Sequence, residues 1–294
     1  MTPATTFKSS TSPIDPRECL YISDMDGTLL SPDSAFSDDA VKRLNRLIDR
    51  GLKFTIATAR NYDSAYPLLR DVKLNIPVIL FNGVYLTEFH SGRNMQTSNF
   101  ISLEIIEEMV AAVVPQGIDP FIYTYGEKHK IYYRNISNPG SQNYIDTLNG
   151  GARLHYVPEY QIHSSENISG LLMIDKHATL EPIYHKLSKK YVSHLNMYFA
   201  EDIAVPGYYW LQVFHQCANK GSMVETLATH MNIPLSHVVV FGDYLNDLDM
   251  FKVAGKAIAV GNALPEVKAA AHEIIGNNET YAVIEYLESL GFDK

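Results

Sequence analysis

The sequence predicts an α/β protein with a Rossmann-like parallel sheet core and an inserted α+β unit. Three observations carry that reading. Short, continuous apolar runs alternate with helical patterns at both ends of the chain, as they do in parallel sheets covered on both faces. The middle of the chain instead holds paired Tyr-rich runs around a turn, the mark of hairpins. Finally, polar residues capable of chemistry follow the same end of several core runs.

The core elements follow in order. The runs CLYIS (19–23), KFTIAT (53–58), PVILF (77–81), HVVVF (237–241) and KAIAV (256–260) read as strands. Between the first two, SDDAVKRLNRLIDRG (37–51) offers Ser37 as an N-cap. Its Val41, Leu44, Leu47 and Ile48 share one helical face, and Gly51 stops it. SMVETLATHMN (222–232) precedes HVVVF as a helix, and LPEVKAAAHEII (264–275) follows KAIAV as another. In the middle, SLEIIEEMVAAVV (102–114) is helical and FIYTYGEKHKIYYRN (121–135) is a hairpin around a Gly-containing turn. GLLMI (170–174), HLNMYF (194–199) and YYWLQVF (208–214) are further strands, with a helix from His177 to about Tyr191. The expected organisation is a loose Thr/Ser/Pro-rich tail over 1–18, a core formed by 19–85 and 213–294, and an insertion over 86–212.

Composition bounds the function. A chain of 294 residues, 46% hydrophobic and 19% charged, can pack about two domains. Its formal charge of -9 argues against a nucleic-acid backbone as partner, since such binders carry a basic face. No run approaches the roughly 20 apolar residues of a membrane span, and residues 1–18 lack a signal-peptide apolar region. Cys19 and Cys217 are the only cysteines. One bridge between them is conceivable, but two reduced thiols in a cytoplasmic protein is the reading adopted.

The opening strand exposes the chemistry. Asp24 and Asp26 follow Ser23, with Gly27 and Thr28 directly after. Ligands of open parallel sheets bind outside the carboxyl ends of the strands. Thr58, Asn82-Gly83 and Gly242-Asp243 end three more runs, so parallel strands would bring them to one rim. Asp24, Asp26 and Asp243 together would crowd three negative charges, a cost relieved by a cation. An oxygen-only set suits Mg²⁺ shared with a substrate phosphate. Lys220, in NKG before a helix, adds positive charge, and Thr58 adds a neutral donor. One aspartate could be a nucleophile and a second a general acid and base. Gly27 would let backbone N–H groups face phosphate oxygens. Taken singly, DxDGT is also an ordinary strand exit, Asn82-Gly83 an ordinary turn and Lys220 an ordinary surface lysine. GDYLNDLDM (242–250) is loosely like a calcium loop but lacks the full register of one.

In combination these motifs resemble the haloacid dehalogenase superfamily. DMDGT (24–28), Thr58 within IATAR, Lys220 within NKG and GDYLND (242–247) match its four motifs in order. The place of the insertion, with FNG (81–83) and AVGNALPEVKAAA (259–271), is similar to the Cof-like type IIB sugar phosphatases, whose inserted α+β domain is a type C2B cap. The resemblance implies that Asp24 is the nucleophile and a Mg²⁺ ligand. Asp26 would be the general acid and base, lending its backbone carbonyl to the metal. Thr58 and Lys220 would hold the phosphoryl group, and Asp243 would complete the metal ligands. Asn246 and Asp247 would stand around them, with Asp247 behind the direct ligands. Gly27, Thr28, Ala59, Arg60, Asn82 and Gly83 would line the phosphate and cap side.

Two departures stand out. The second motif reads TAR where the family usually has TGR, and ETYAVIEYL (279–287) lacks the usual glycine before Val-Ala. The implied activity is Mg²⁺-dependent hydrolysis of small phosphorylated metabolites, sugar phosphates above all. Cap tyrosines could stack on a sugar, although Tyr is also a common strand former. A phosphomutase of the same cap type would share every motif. A metal-independent dehalogenase would not need Asp26. A non-catalytic binding protein would have lost a motif residue, and an ion pump would need membrane helices.

Overall fold

The computed structural model describes residues 15–126, 129–148, 151, 153–202 and 204–292. The chain falls into two compact units. The first comprises the residues up to Val78, Glu88–Gly92 and those from Val224 onward; the second comprises Ile79–Thr87 and Arg93–Met223. Most of the expected N-terminal tail, residues 1–14, lies outside the described residues. Asp15 caps a single turn, Pro16–Glu18, that leads into the first strand.

The first unit is built on a five-stranded parallel sheet. Its order is Glu273–Ile274, Lys256–Ala259, Val238–Gly242, Leu20–Ser23 and Lys53–Ile56. Ile22 lies between Val240 and Thr55 in register. Leu20, Ile22, Val238, Val240 and Phe241 are fully buried, which explains why these strands read as unbroken apolar runs. Each such side chain contributes about 1.5–3 kcal/mol when fully buried. The helix Asp38–Asp49 starts where Ser37 accepts the Ala40 N–H at 3.2 Å, and it buries Ala40, Leu44, Leu47 and Ile48. Gly51, at φ +99°, takes the left-handed residue that ends it. Glu288, on the last helix Ala282–Ser289, accepts Arg43 Nη2 at 2.7 Å and Arg46 Nη2 at 3.3 Å.

Two core elements differ from expectation. The run PVILF does not extend the parallel sheet. Only Val78–Leu80 is a strand, and it forms a separate three-stranded sheet with Tyr85–Glu88 and Arg93–Thr97. Pro77 has no N–H to give a ladder, and its carbonyl is taken by the Thr55 hydroxyl at 2.8 Å. The helix expected through Ile275 stops at Ala270, and Glu273–Ile274 becomes the fifth parallel strand. Ladder bonding begins at His272, whose N–H donates to the Ala257 carbonyl while its Nδ1 accepts the Ala257 N–H.

The second unit carries a six-stranded sheet in the order Leu195–Glu201, Tyr208–His215, Asn167–Lys176, Phe121–Tyr125, Lys130–Tyr133, Leu154–Tyr156. Its pairs are antiparallel except the last. The expected hairpin is present, with Ile122 opposite Tyr132; its turn residues 127 and 128 lie outside the described residues. One face of the sheet (Ile122, Leu171, Met173, Leu211, Val213) packs on Met109 of Leu103–Val113 and Leu180 of His177–Lys190. The Tyr123 and Tyr144 hydroxyls bond each other at 2.6 Å in the interior, so both serve packing. The helix Pro139–Thr147 that carries Tyr144 was not expected from the sequence.

Among the described residues no helix is long and apolar enough to cross a membrane. Cys19 is buried, Cys217 is exposed, and both are free thiols.

Candidate active site

Asp24 follows Leu20–Ser23, and Asp243 and Thr58 come after the two strands that flank it, Val238–Gly242 and Lys53–Ile56. The backbone sets this placement. The Asp24 N–H donates to the Phe241 carbonyl and the Ala57 N–H to the Ser23 carbonyl, both at 2.9 Å. Ladder bonding therefore continues to the edge of the site, and the carboxylate leaves the sheet as the strand ends.

The carboxylates that come together are Asp24, Asp243 and Asp247. One oxygen from each lies within 4.8 Å of the others, and Asp24 and Asp247 are buried. Asp247 also shapes its own loop, because its Oδ2 accepts the N–H groups of Asp243 at 2.9 Å and Tyr244 at 3.0 Å. Gly242 is needed beneath it, since a Cβ there would stand 2.6 Å from the Asp247 side chain. Thr28, fully buried, donates its hydroxyl to Asp243 Oδ1 at 2.6 Å. Gly27, at φ +75°, lets the turn after Asp24 pass directly over the Asp243 carboxylate. This all-oxygen, anionic donor set can hold a hard divalent cation.

The Asp26 side chain does not join the cluster. It faces Arg60, whose Nε donates to Asp26 Oδ2 and whose Nη2 donates to Asp26 Oδ1, each at 2.7 Å. Such a two-point pair fixes the planes of both groups. The bonds to Asp26 push the Arg60 guanidinium above its ordinary value, so it is fully charged. Arg60, expected on the phosphate side, is thus engaged with a carboxylate. The Thr58 hydroxyl accepts the Arg60 N–H at 3.1 Å, closing the loop of the second motif. Ala59 within it is not among the residues of positive φ, so this loop does not use the freedom of the family's usual glycine. Asn246 is half-buried between Asp243 and Asp247 in sequence.

The remaining expected residues meet within the second unit. Phe81, Asn82 and Gly83 have φ of 53°, 51° and 85°. Three left-handed residues in a row make a tight reversal, and two of them bear side chains that disfavour it. A Cβ on Gly83 would stand 2.1 Å from the Asn219 carbonyl oxygen, so the FNG turn packs against the backbone just before Lys220. Asn219 accepts the Ser222 N–H at 2.8 Å and caps the helix Lys220–His230. Lys220 is fully buried.

Two arrangements were not foreseen from the sequence: Asp247 as a direct member of the cluster, and the pairing of Arg60 with Asp26. The first had a signal in the spacing of GDYLND, where a tight turn after Asp243 returns the fourth residue to the strand end. The second had none, since both residues were already assigned elsewhere.

Comparison with known proteins agrees with this architecture. The family of haloacid dehalogenase-like hydrolases matches residues 21–287, and the chain belongs to it. Its relatives include an HMP-PP phosphatase of Serratia proteamaculans, 26% identical over 268 residues that make up 90% of this chain and 92% of that protein. Pyridoxal phosphate phosphatase YbhA of Escherichia coli is 24% identical over 279 residues, or 90% and 96% of the two chains. Among solved structures, a haloacid dehalogenase-like hydrolase from Bacteroides thetaiotaomicron superposes with a TM-score of 0.76 at 24% identity, over 92% of this chain and 99% of that one. A sugar phosphatase of haloacid dehalogenase subclass IIB gives 0.73 at 19%, over 93% and 99%. At these identities the two structures speak for the fold alone.

Proposed function

We propose that this enzyme is a Mg²⁺-dependent phosphomonoesterase that acts on small phosphorylated metabolites, sugar phosphates foremost, through a phosphoryl group carried on Asp24. The observation that supports it best is the cluster of Asp24, Asp243 and Asp247 at the ends of adjacent parallel strands, in a chain of the haloacid dehalogenase-like family. The names of the relatives agree with phosphate-ester hydrolysis.

The roles divide as follows. An Asp24 oxygen attacks phosphorus, and the bond from phosphorus to the leaving oxygen breaks. Asp26 gives that oxygen a proton. Water then attacks the phosphoryl group on Asp24, Asp26 takes the water proton, and orthophosphate leaves with the Asp24 carboxylate restored. General acid–base assistance of this kind is worth about 10²–10⁴-fold. Both Asp26 oxygens accept from Arg60 in the structure, so Asp26 must release one of them and take up a proton before it serves as the acid. Thr58 and Lys220 are assigned to the phosphoryl oxygens by their motifs. Bound Mg²⁺, held by Asp24, Asp243 and Asp247 with the backbone carbonyl of Asp26, would neutralise phosphate charge, the largest requirement of phosphoryl transfer. Residues 86–212 are assigned as the cap that selects the leaving group.

The test is phosphate release from an aryl phosphate, then from a panel of sugar phosphates and other phosphorylated metabolites. Turnover is expected with Mg²⁺, is expected to vanish in EDTA, and is expected to be poor with Ca²⁺, whose looser geometry misplaces the attacking carboxylate. Full turnover in EDTA would refute the metal assignment. No phosphate release from any ester with Mg²⁺ would refute the function.

A further inference from the structure

The loop GNALPEVK reaches the site although no catalytic role has been given to it. Asn262 Nδ2 donates to the Gly27 carbonyl at 2.7 Å, and its Oδ1 accepts the Asn278 N–H at 3.0 Å. Asn278 is buried, and its own Nδ2 donates to the Leu30 carbonyl at 2.8 Å. The two asparagines therefore hold two carbonyls of the turn that follows Asp24. Their mutual placement is rigid. The Gly261 N–H donates to the Gly276 carbonyl at 2.9 Å, and a Cβ on Gly261 would stand 2.1 Å from Asn277 Oδ1.

We infer that Asn262 is a positioning residue that sets the cation-binding carboxylate of Asp243 by holding the Gly27–Thr28 peptide. The inference rests on the proposed cation site. The Gly27 carbonyl and the Thr28 N–H belong to one rigid peptide plane, so a bond to that carbonyl fixes where the Thr28 side chain starts. The Thr28 hydroxyl holds Asp243 Oδ1 at 2.6 Å, and the Gly27 Cα lies against the same carboxylate. Asn262 is itself exposed, so its effect on cation affinity is that of one solvent-accessible hydrogen bond, roughly three- to tenfold.

The experiment is calorimetric titration of Mn²⁺ into substrate-free protein, wild type against Asn262→Ala, with turnover of an aryl phosphate measured across Mg²⁺ concentrations. The expected result is three- to tenfold weaker Mn²⁺ binding, an equal rise in the Mg²⁺ needed for half-maximal turnover, and recovery of turnover as Mg²⁺ is raised. A merely structural lesion would lower turnover at every Mg²⁺ concentration and leave Mn²⁺ affinity alone. That result would overturn the inference. Should Asn262→Ala fail to fold by circular dichroism, Asn262→Ser, too short to reach the Gly27 carbonyl, decides by the same criterion. Wild-type protein that binds no Mn²⁺ would overturn the cation site itself, an outcome separate from unchanged affinity in the variants.

Discussion

Replacing Gly27 by Ala should damage the enzyme out of proportion to its size. A Cβ at this position would stand 2.4 Å from Asp243 Oδ2 and 2.8 Å from Cγ, against ordinary contact of 3.4 Å or more. The carboxylate cannot simply turn away, because Thr28 holds its other oxygen and the Asp243 N–H is tied to Asp247. Something must shift by about 1 Å, and misplacement of that order costs on the order of 10²-fold in rate. The left-handed backbone at φ +75° adds about 1–2 kcal/mol of strain for any residue with a Cβ. Gly51 separates the two effects. It is also left-handed, at φ +99°, but a Cβ there meets nothing within 4 Å. Urea unfolding should show a loss of stability for both Gly27→Ala and Gly51→Ala, larger for the first because of its clash with Asp243. Phosphate release from an aryl phosphate with Mg²⁺ should show about 10²-fold lower kcat/KM for the first and no change for the second. Gly27→Ala within threefold of wild type would refute the reasoning.

The cluster also predicts how the other carboxylates divide. Asp247→Asn should weaken Mn²⁺ binding more than tenfold while the loop keeps its shape, because the amide oxygen can still accept the Asp243 and Tyr244 N–H groups; Asp26→Asn should leave Mn²⁺ affinity within about threefold, and calorimetry on both variants checks the contrast. Glu288 is held below its ordinary range chiefly by its hydrogen bonds from Arg43. A carboxylate depressed in the folded state contributes stability above the unfolded pKa of about 4.3 and loses it as pH falls through the folded value. Unfolding free energies of wild type and Glu288→Gln from urea titration should therefore differ by no more than about 1 kcal/mol at pH 7, screened by salt, and converge only once the pH has fallen below the folded value.

The core was legible because burial on both sheet faces leaves unbroken apolar runs, and because polar residues cannot continue such a run except at its end. Asp24, Thr58 and Asp243 were read on that ground, and they do follow three adjacent strands. What failed were short elements whose state depends on neighbours. Glu273–Ile274 is too brief to carry a period, and only pairing with Ile258 and Ala259 makes it a strand. PVILF had the composition of a core strand, but its Val78–Leu80 pairs in the separate three-stranded sheet instead of the parallel one. Side-chain pairing was least legible of all. Arg60 and Asp26 are 34 residues apart, and no local pattern joins them. The departure at ETYAVIEYL has a physical account that only coordinates could supply. Tyr281 adopts φ +54° where the family usually has glycine, its hydroxyl accepts the Ser37 N–H at 3.1 Å, and its ring meets Phe36 edge-on at 5.7 Å. Those contacts offset a conformation that disfavours a side chain.

The central claim is that phosphoryl transfer passes through Asp24, and trapping that group tests it most directly. In Asp26→Asn the nucleophile remains but water is no longer activated. With an aryl phosphate, whose leaving group hardly needs a proton, the first step should outrun the second. Rapid quenching followed by mass spectrometry should then find an added phosphoryl group on the peptide spanning residues 20–30 in Asp26→Asn. Wild type should show little and Asp24→Asn none, with turnover of the latter at background. A phosphoryl group on any other residue, or Asp24→Asn turning over like wild type, would contradict the account.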